Sequence, residues 1–319
     1  MENRKKQPLV QFRKDWTLSR KENIPLDELF RLFLTNCKLK NLADVTIQGY
    51  TTAYKYFVAW LGRNVTCEDI TQDLMNEYVL YLKDRLGKPQ TVNSYQFKVS
   101  PIIKFGIHRG YIKDNITFTH LVEQEHIKEI YTKEELEIML KRPESGSFAE
   151  FRTWVIIHVL IATGIRATEL RELKIGNVDL VNRLLNLEHT KNRKPRMIPI
   201  PSSLYAILQE YLLARGGTPS ECLFCNIYGE PLPRTTLQQS VTKYCKKRGL
   251  TRYSLHLFRH TFITESVKSG MPIVFLKRIT GHSSFTQLNR YYQYNPTDLV
   301  DVVDEYNPLE TLVIKRKVF

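Results

Sequence analysis

The sequence predicts a mainly α-helical chain of two domains, the second carrying one small β-sheet or hairpin. Three observations lead there. Apolar residues recur at helical spacing over residues 26–111 and again from 148 onward. The stretch 184–200 alone alternates apolar and polar positions around a polar turn. The chain has 319 residues, more than one core usually needs.

Residues 1–22 mix Arg4, Lys5, Lys6, Arg13, Lys14, Arg20 and Lys21 with few apolar anchors, and read either as a basic flexible arm or as a solvated tail. A helical domain is expected over 23–114. Leu26, Leu29, Phe30 and Phe33 share one face of a first helix, and Ile47, Tyr50, Tyr54, Phe57, Val58 and Leu61 share a face of a second. Thr71 is expected to cap a third helix, running to about Arg85, before Gly87-Lys88-Pro89 breaks the chain. Thr91 is then expected to cap a fourth, to about Arg109, kinked at Pro101. Short loops make neighbours antiparallel, giving a four-helix bundle.

Residues 115–130 have weaker periodicity and read as a linker. The second domain is expected over 131–296, opened by the capping box Thr132-Lys133-Glu134-Glu135. Its first long helix, about Phe148 to Ala162, is apolar on most sides and should be central and buried. Leu185, Leu187, Met197, Ile198 and Ile200 then form the hairpin, whose tip is basic. Helices are expected near 202–214, 234–247, 257–269, 272–279 and 284–293. In the tail, 297–319, Leu299, Val302, Val303 and Tyr306 share a face, a stripe that reads as a subunit contact.

The formal net charge is +14, an imbalance that no fold requires and that suits a protein tracking a polyanion; the bland alternative is a soluble basic protein with no nucleic-acid partner. No apolar run is long enough to span a bilayer, and the N-terminus lacks the apolar core of a signal peptide. The five cysteines, an odd number without framework spacing, suit a reducing, cytoplasmic setting. Cys222-x-x-Cys225 would need two further ligands to hold zinc, and its flanking Leu223 and Phe224 read as a buried strand.

The chemistry-bearing residues come in order along the chain: Thr163-Gly164-Ile165-Arg166-Ala167-Thr168-Glu169-Leu170, the hairpin tip with Lys191, His256-Leu257-Phe258-Arg259-His260, and Gly281-His282 with Tyr291 behind it. In-line cleavage of a phosphodiester requires charge stabilisation on the non-bridging oxygens, an aligned nucleophile and a proton for the leaving alkoxide. A guanidinium fork matches two phosphate oxygens and stays charged, so two forks with histidine donors can stand in for a metal. No carboxylate cluster resembling a two-metal site is evident, and no cofactor or metal is expected. Each signal alone is weak, because a lone arginine is usually a solvated charge and a lone histidine usually structural.

Taken together, the boxes resemble the tyrosine recombinases, or phage integrase family, over about residues 25–295. The family carries a TGLR-x-SEL-like box, a hairpin lysine, an H-x-L-R-H box, and LGH with a tyrosine nine residues after its histidine; here that tyrosine is Tyr291. The resemblance implies a helical core-binding (SAM-like) domain followed by a tyrosine-recombinase catalytic domain, the two forming a C-shaped clamp around DNA. Carried over by position, Tyr291 is the nucleophile, Arg166 and Arg259 clamp the scissile phosphate, His256 and His282 bind it and assist proton transfer, Lys191 is the general acid, and Glu169 supports the site. The implied activity is site-specific DNA recombination of the integrase or transposase type, through a 3′-phosphotyrosine and without ATP.

Thr280 stands where the family has Leu before Gly-His, Phe258 where it has Leu before the arginine, and Ile263 where it often has Ala. The first two read as packing changes and the third as a slight helix shift. Tyr292 and Tyr294 are competing phenols, and the nine-residue spacing selects Tyr291. Lys55, Gln96 and Lys98, from helix position, and Arg193 and Lys194, at the hairpin tip, are candidate DNA contacts. The implied partners are double-stranded DNA with specific recombination sites and further copies of the chain, as a tetramer, with room for accessory DNA-bending proteins and no membrane. The implied setting is the nucleoid of a bacterium, or a phage or mobile element. Two alternatives stay open: a type IB topoisomerase-like relaxing enzyme, and a catalytically silent DNA-binding protein.

Overall fold

Helices dominate because the apolar stripes read from the sequence find partners within two separate cores. The computed structural model describes residues 23–122, 129–188, 195–289 and 291. Outside the described residues fall the basic arm, the middle of the expected linker, the hairpin tip with Lys191, Arg193 and Lys194, the phenols Tyr292 and Tyr294, and the tail stripe. The chain divides into two compact units, Met1–His126 and Ile127–Phe319.

The first unit is built from α1 (Leu26–Leu39), α2 (Asp44–Leu61), α3 (Gln72–Leu86) and α4 (Pro89–His108). Leu26, Leu29, Phe30 and Phe33 are all buried, and the Phe30 ring stacks on Tyr54 of α2 with centroids 3.8 Å apart. Phe57, Tyr78, Leu82, Val92, Val99 and Ile103 complete the core. Thr71 caps α3 by accepting from the Leu74 N–H at 3.2 Å. Thr91 is not the cap of α4: that helix begins two residues earlier, because Pro89 occupies its first turn, where a missing N–H costs nothing. It runs through Pro101 to His108 without ending.

The first part of the expected linker is bound to this unit. Ile116 is buried in its core, and the Thr117 N–H donates to Gln72 Oε1 at 2.8 Å. The Asn93 amide donates to the Leu121 carbonyl at 2.9 Å and accepts from the Leu121 N–H at 3.0 Å. Its weak periodicity is that of an extended segment held by side-chain amides rather than of a free spacer.

The second unit contains α5 (Lys133–Leu140), α6 (Phe148–Thr163), α7 (Ala167–Glu172), β1 (Val178–Asp179), β2 (Leu184–Leu187), β3 (Arg196–Pro199), α8 (Ser202–Arg215), α9 (Arg234–Lys247), α10 (Leu255–Lys268), α11 (Ile273–Thr280) and α12 (Thr286–Asn289). Helix α6 is the centre, packed by α5, α8, α9 and α10, with Val155, Ile156, Ile157, Val159 and Leu160 fully enclosed. Thr132 and Glu135 form the capping box of α5. The strands make an antiparallel sheet in the order β1-β2-β3, with Leu185 opposite Ile198 and Leu187 opposite Arg196. That register turns Leu185 and Ile198 onto α6's core and leaves Met197 exposed.

Two expectations change here. Leu223 and Phe224 are buried, but Cys222 and Cys225 make only isolated bridges, to Lys174 and Pro231, instead of a continuous strand. The last helix is also shorter than expected. Leu288, buried with Ile263 and Leu276, is a core anchor of it, and Tyr291 lies in a turn closed by its N–H on the Leu288 carbonyl at 2.9 Å. Among the described residues, no helix is long and apolar enough to cross a membrane.

Candidate active site

Four backbone carbonyls at the ends of α6 and α11 organise the site. Gly164 ends α6 in the left-handed region, φ 58°, its N–H closing on the Leu160 carbonyl at 3.0 Å. A Cβ at this position would lie 2.3 Å from the Phe262 ring, so the turn requires glycine on two counts. The turn buries Ile165 and brings out Arg166 as the N-cap of α7.

Arg166 is tied on two sides. Its Nη1 donates to Glu169 Oε1 at 2.9 Å and its Nη2 to the Gly281 carbonyl at 2.9 Å. Glu169 also accepts the Arg166 N–H at 3.0 Å. The carboxylate, 3% exposed, is gripped from its other side by Arg196, whose Nη1 and Nη2 donate at 2.8 and 2.7 Å while Nε donates to the Ile279 carbonyl at 2.9 Å. Burial works to raise the Glu169 pKa, but the hydrogen bonds and charge of Arg196, then those of Arg166, hold it below the ordinary carboxylate value.

Arg259 lies on α10 and is 7% exposed. Its Nη1 donates to the Gly164 carbonyl at 2.6 Å and its Nη2 to the Thr280 carbonyl at 2.7 Å, with His282 Nε2 at 3.3 Å. Burial first, and the charge of Arg166 second, push its pKa down to about 9. A guanidinium keeps its charge at neutral pH regardless, and the carbonyls it grips offset part of the cost of enclosing it. Gly281, φ 66°, ends α11 and delivers His282 beside this fork.

Tyr291 packs against Ile263 and Leu276, and its hydroxyl shares a short hydrogen bond with His260 Nδ1. The two rings are 5.9 Å apart and inclined by 30°. His256 is exposed on the first turn of α10, whereas Arg259, three residues on, is buried. The structure thus draws Arg166, Glu169, Arg259 and His282 around the carbonyls at the ends of α6 and α11, with Tyr291 close enough that its ionised form acts on Arg259.

Of the candidate DNA contacts in the first unit, Lys55 and Lys98 are exposed. Gln96 is 3% exposed and faces inward with Val92, Val99 and Ile103 on α4, so it is withdrawn as a base-reading residue. Phe258 is a core residue packed on Tyr131, centroids 4.6 Å apart. Thr280 is more than a packing change, because its hydroxyl lies 2.7 Å from His282 Nδ1. The sequence reading also passed over Arg196 and gave His260 no role. The signal for Arg196 was its place at the start of the second hairpin strand; His260 stood inside a box already singled out.

A family model described as phage integrase family matches residues 129–297, and one described as phage integrase SAM-like domain matches residues 26–120. The chain is 26% identical to the tyrosine recombinase XerC of Pelobacter propionicus over 297 residues, 89% of this chain and 96% of that one. It is 25% identical to the tyrosine recombinase XerD of Pseudomonas aeruginosa, over 84% of this chain and 93% of that one. In fold it is similar to the Tn1549 transposon integrase in complex with circular intermediate DNA, with TM-score 0.72, 21% identity, and 88% and 98% of the two chains covered. A lambda integrase dimer bound to a COC′ core site is similar at TM-score 0.67 and 18% identity, over 86% and 80% of the two chains. With the first of those family models spanning more than half of its 319 residues, the chain belongs to the phage integrase family.

Proposed function

We propose that this chain is a site-specific DNA recombinase that cuts and rejoins strands through a covalent 3′-phosphotyrosine. Tyr291 attacks the scissile phosphate in line. Arg166 and Arg259 hold its non-bridging oxygens, and His282, with His256, adds hydrogen bonds there. Lys191 protonates the departing 5′-oxygen. Glu169 and Arg196 keep Arg166 in position. The energy of the broken ester is retained in the phosphotyrosine, so religation to a different 5′-hydroxyl draws on no ATP.

The observation that carries this reading is the buried Arg259 fork beside Arg166, two guanidiniums anchored on backbone carbonyls at the ends of α6 and α11, with His282 against the Arg259 fork. Such a preorganised cationic pocket suits charge that builds on a pentacoordinate phosphorus. The net charge of +14 fits a duplex partner and makes binding strongly salt-dependent. The working assembly is a tetramer on two paired sites, acting in the nucleoid, and the tail stripe from Leu299 to Tyr306 is its subunit contact.

The test is recovery and sequencing of DNA covalently held by the protein in cells, followed by a nicked suicide duplex carrying the recovered site. The parent chain should form an adduct, and Tyr291→Phe should bind without forming one. An adduct in that variant would move the nucleophile to Tyr292 or Tyr294. No adduct from the parent chain would favour a silent DNA-binding protein.

A further inference from the structure

We propose that His260, through Nδ1, takes the phenolic proton of Tyr291 as the phenol attacks phosphorus. The proposal rests on the recombinase reading above and adds to it the base that activates the nucleophile.

A free phenol has a pKa near 10, so roughly one in a thousand is ionised at pH 7. A positioned base within hydrogen-bond reach removes that handicap. His260 Nδ1 is hydrogen-bonded to the Tyr291 hydroxyl. The phenol is fixed there by independent contacts: its backbone closes on Leu288 at 2.9 Å, and its ring packs against Ile263 of α10 and Leu276 of α11. The imidazole thus stands one residue from Arg259 on α10, the helix that also offers Ile263 to the cluster on which Tyr291 packs.

Two other basic groups of the site are committed elsewhere. His282 meets Thr280 at Nδ1 and Arg259 at Nε2. The Glu169 carboxylate is enclosed between Arg166 and Arg196. Arg259, next to His260 on α10, is the guanidinium on which Tyr291 acts, and Arg166, Glu169 and Arg196 act on that same guanidinium. The guanidiniums favour a phenolate and disfavour an imidazolium, and the anionic diester held between them offsets the second effect.

The step balances as follows. The proton passes from the Tyr291 oxygen to His260 Nδ1, and the phenolic oxygen forms the new bond to phosphorus. The bond to the 5′-oxygen breaks, its electron pair leaving with that oxygen, which takes a proton from Lys191. Religation runs the same transfers backward, with His260 returning its proton to the phenol.

The experiment measures single-turnover adduct formation from pH 6 to 9 on the duplex recovered through the Tyr291 adduct, with the ordinary phosphodiester and with a 5′-bridging phosphorothiolate. The variants are His260→Gln and His260→Asn, the second keeping a polar group near the Nδ1 position; both are checked for unchanged DNA affinity. Removing a general base should slow cleavage by about 10²-fold at pH 7. The loss should be equal for both leaving groups, and the variant rates should climb about tenfold per pH unit as hydroxide replaces the base. Wild-type rates in either variant would overturn the proposal. So would a loss cured by the thiolate leaving group, which needs no acid, or a loss with an unchanged pH profile, which would mark a structural role. Failure of the parent chain to form any adduct would instead defeat the recombinase reading itself.

Discussion

Thr280 Oγ1 lies 2.7 Å from His282 Nδ1 while donating its own proton to the Leu276 carbonyl at 2.6 Å. A hydroxyl that has spent its proton can only accept, so the network assigns the imidazole hydrogen to Nδ1 and leaves the Nε2 lone pair toward Arg259. One threonine thereby sets both the tautomer and the orientation of a histidine in the site. Thr280→Val keeps the shape and removes the acceptor. It should lower single-turnover cleavage about tenfold and stability by about 1 kcal/mol, whereas Thr280→Ser should restore both. Nitrogen chemical shifts of His282 check the assignment directly: an unchanged tautomer in the valine variant would refute it.

Glu169 carries a second prediction because two arginines depend on it. Breaking a buried ion pair by removing one partner typically costs about 3–5 kcal/mol, since the other charge is left enclosed. Glu169→Ala should destabilise the second unit by that order in urea unfolding and release Arg166 from its position. The pH dependence follows from the depressed carboxyl. A group whose folded pKa lies below its unfolded value, about 4.3 for glutamate, stabilises above that value and loses the contribution as pH falls through the folded pKa. The gap between parent and variant should hold from pH 7 to 5 and shrink below it.

Arg259→Lys tests whether geometry or charge matters in the phosphate clamp proposed for it. The guanidinium reaches the Gly164 and Thr280 carbonyls with separate nitrogens and still faces His282. An ammonium is a single point donor and cannot reproduce that fork. The variant should keep duplex affinity within a few-fold, because backbone contacts elsewhere dominate it, yet lose adduct formation by about 10²-fold, the scale of one preorganised charge-stabilising donor. Equal losses in affinity and cleavage would show that Arg259 acts in binding alone.

Much of this architecture was legible because it is local. Leu26, Leu29 and Phe33 announce α1 by spacing, Thr71 and the Thr132 box announce helix starts, and alternation at Leu185 and Leu187 announces the hairpin. Arg166, Arg259 and His282 were legible as boxes, and the structure gathers them. What escaped depends on long-range contact. Arg196 matters only because register and the end of α11 bring it to Glu169, and His260 only because the Leu288 turn brings Tyr291 to it. Gln96 is a different kind of miss. Val92, Val99 and Ile103 lie four before, three after and seven after it, so the helical period already placed it inward.

Gly164 offers the sharpest test of how backbone geometry holds the site, because its two constraints can be separated. Alanine there must adopt φ near 58°, costing about 1–2 kcal/mol for an L-residue. Its Cβ must also displace the Phe262 ring, which stands 2.3 Å away on α10. Gly164→Ala should therefore destabilise by more than the conformational term, and shift the carbonyl that Arg259 Nη1 grips. Combining it with Phe262→Ala removes the clash but not the positive φ. Relative to Phe262→Ala alone, the added alanine at 164 should then cost only the conformational 1–2 kcal/mol. Thermal unfolding of the four proteins closes this double-mutant cycle. Adduct formation should stay low in both Gly164→Ala backgrounds if the carbonyl's placement, rather than overall stability, is what the arginine fork requires.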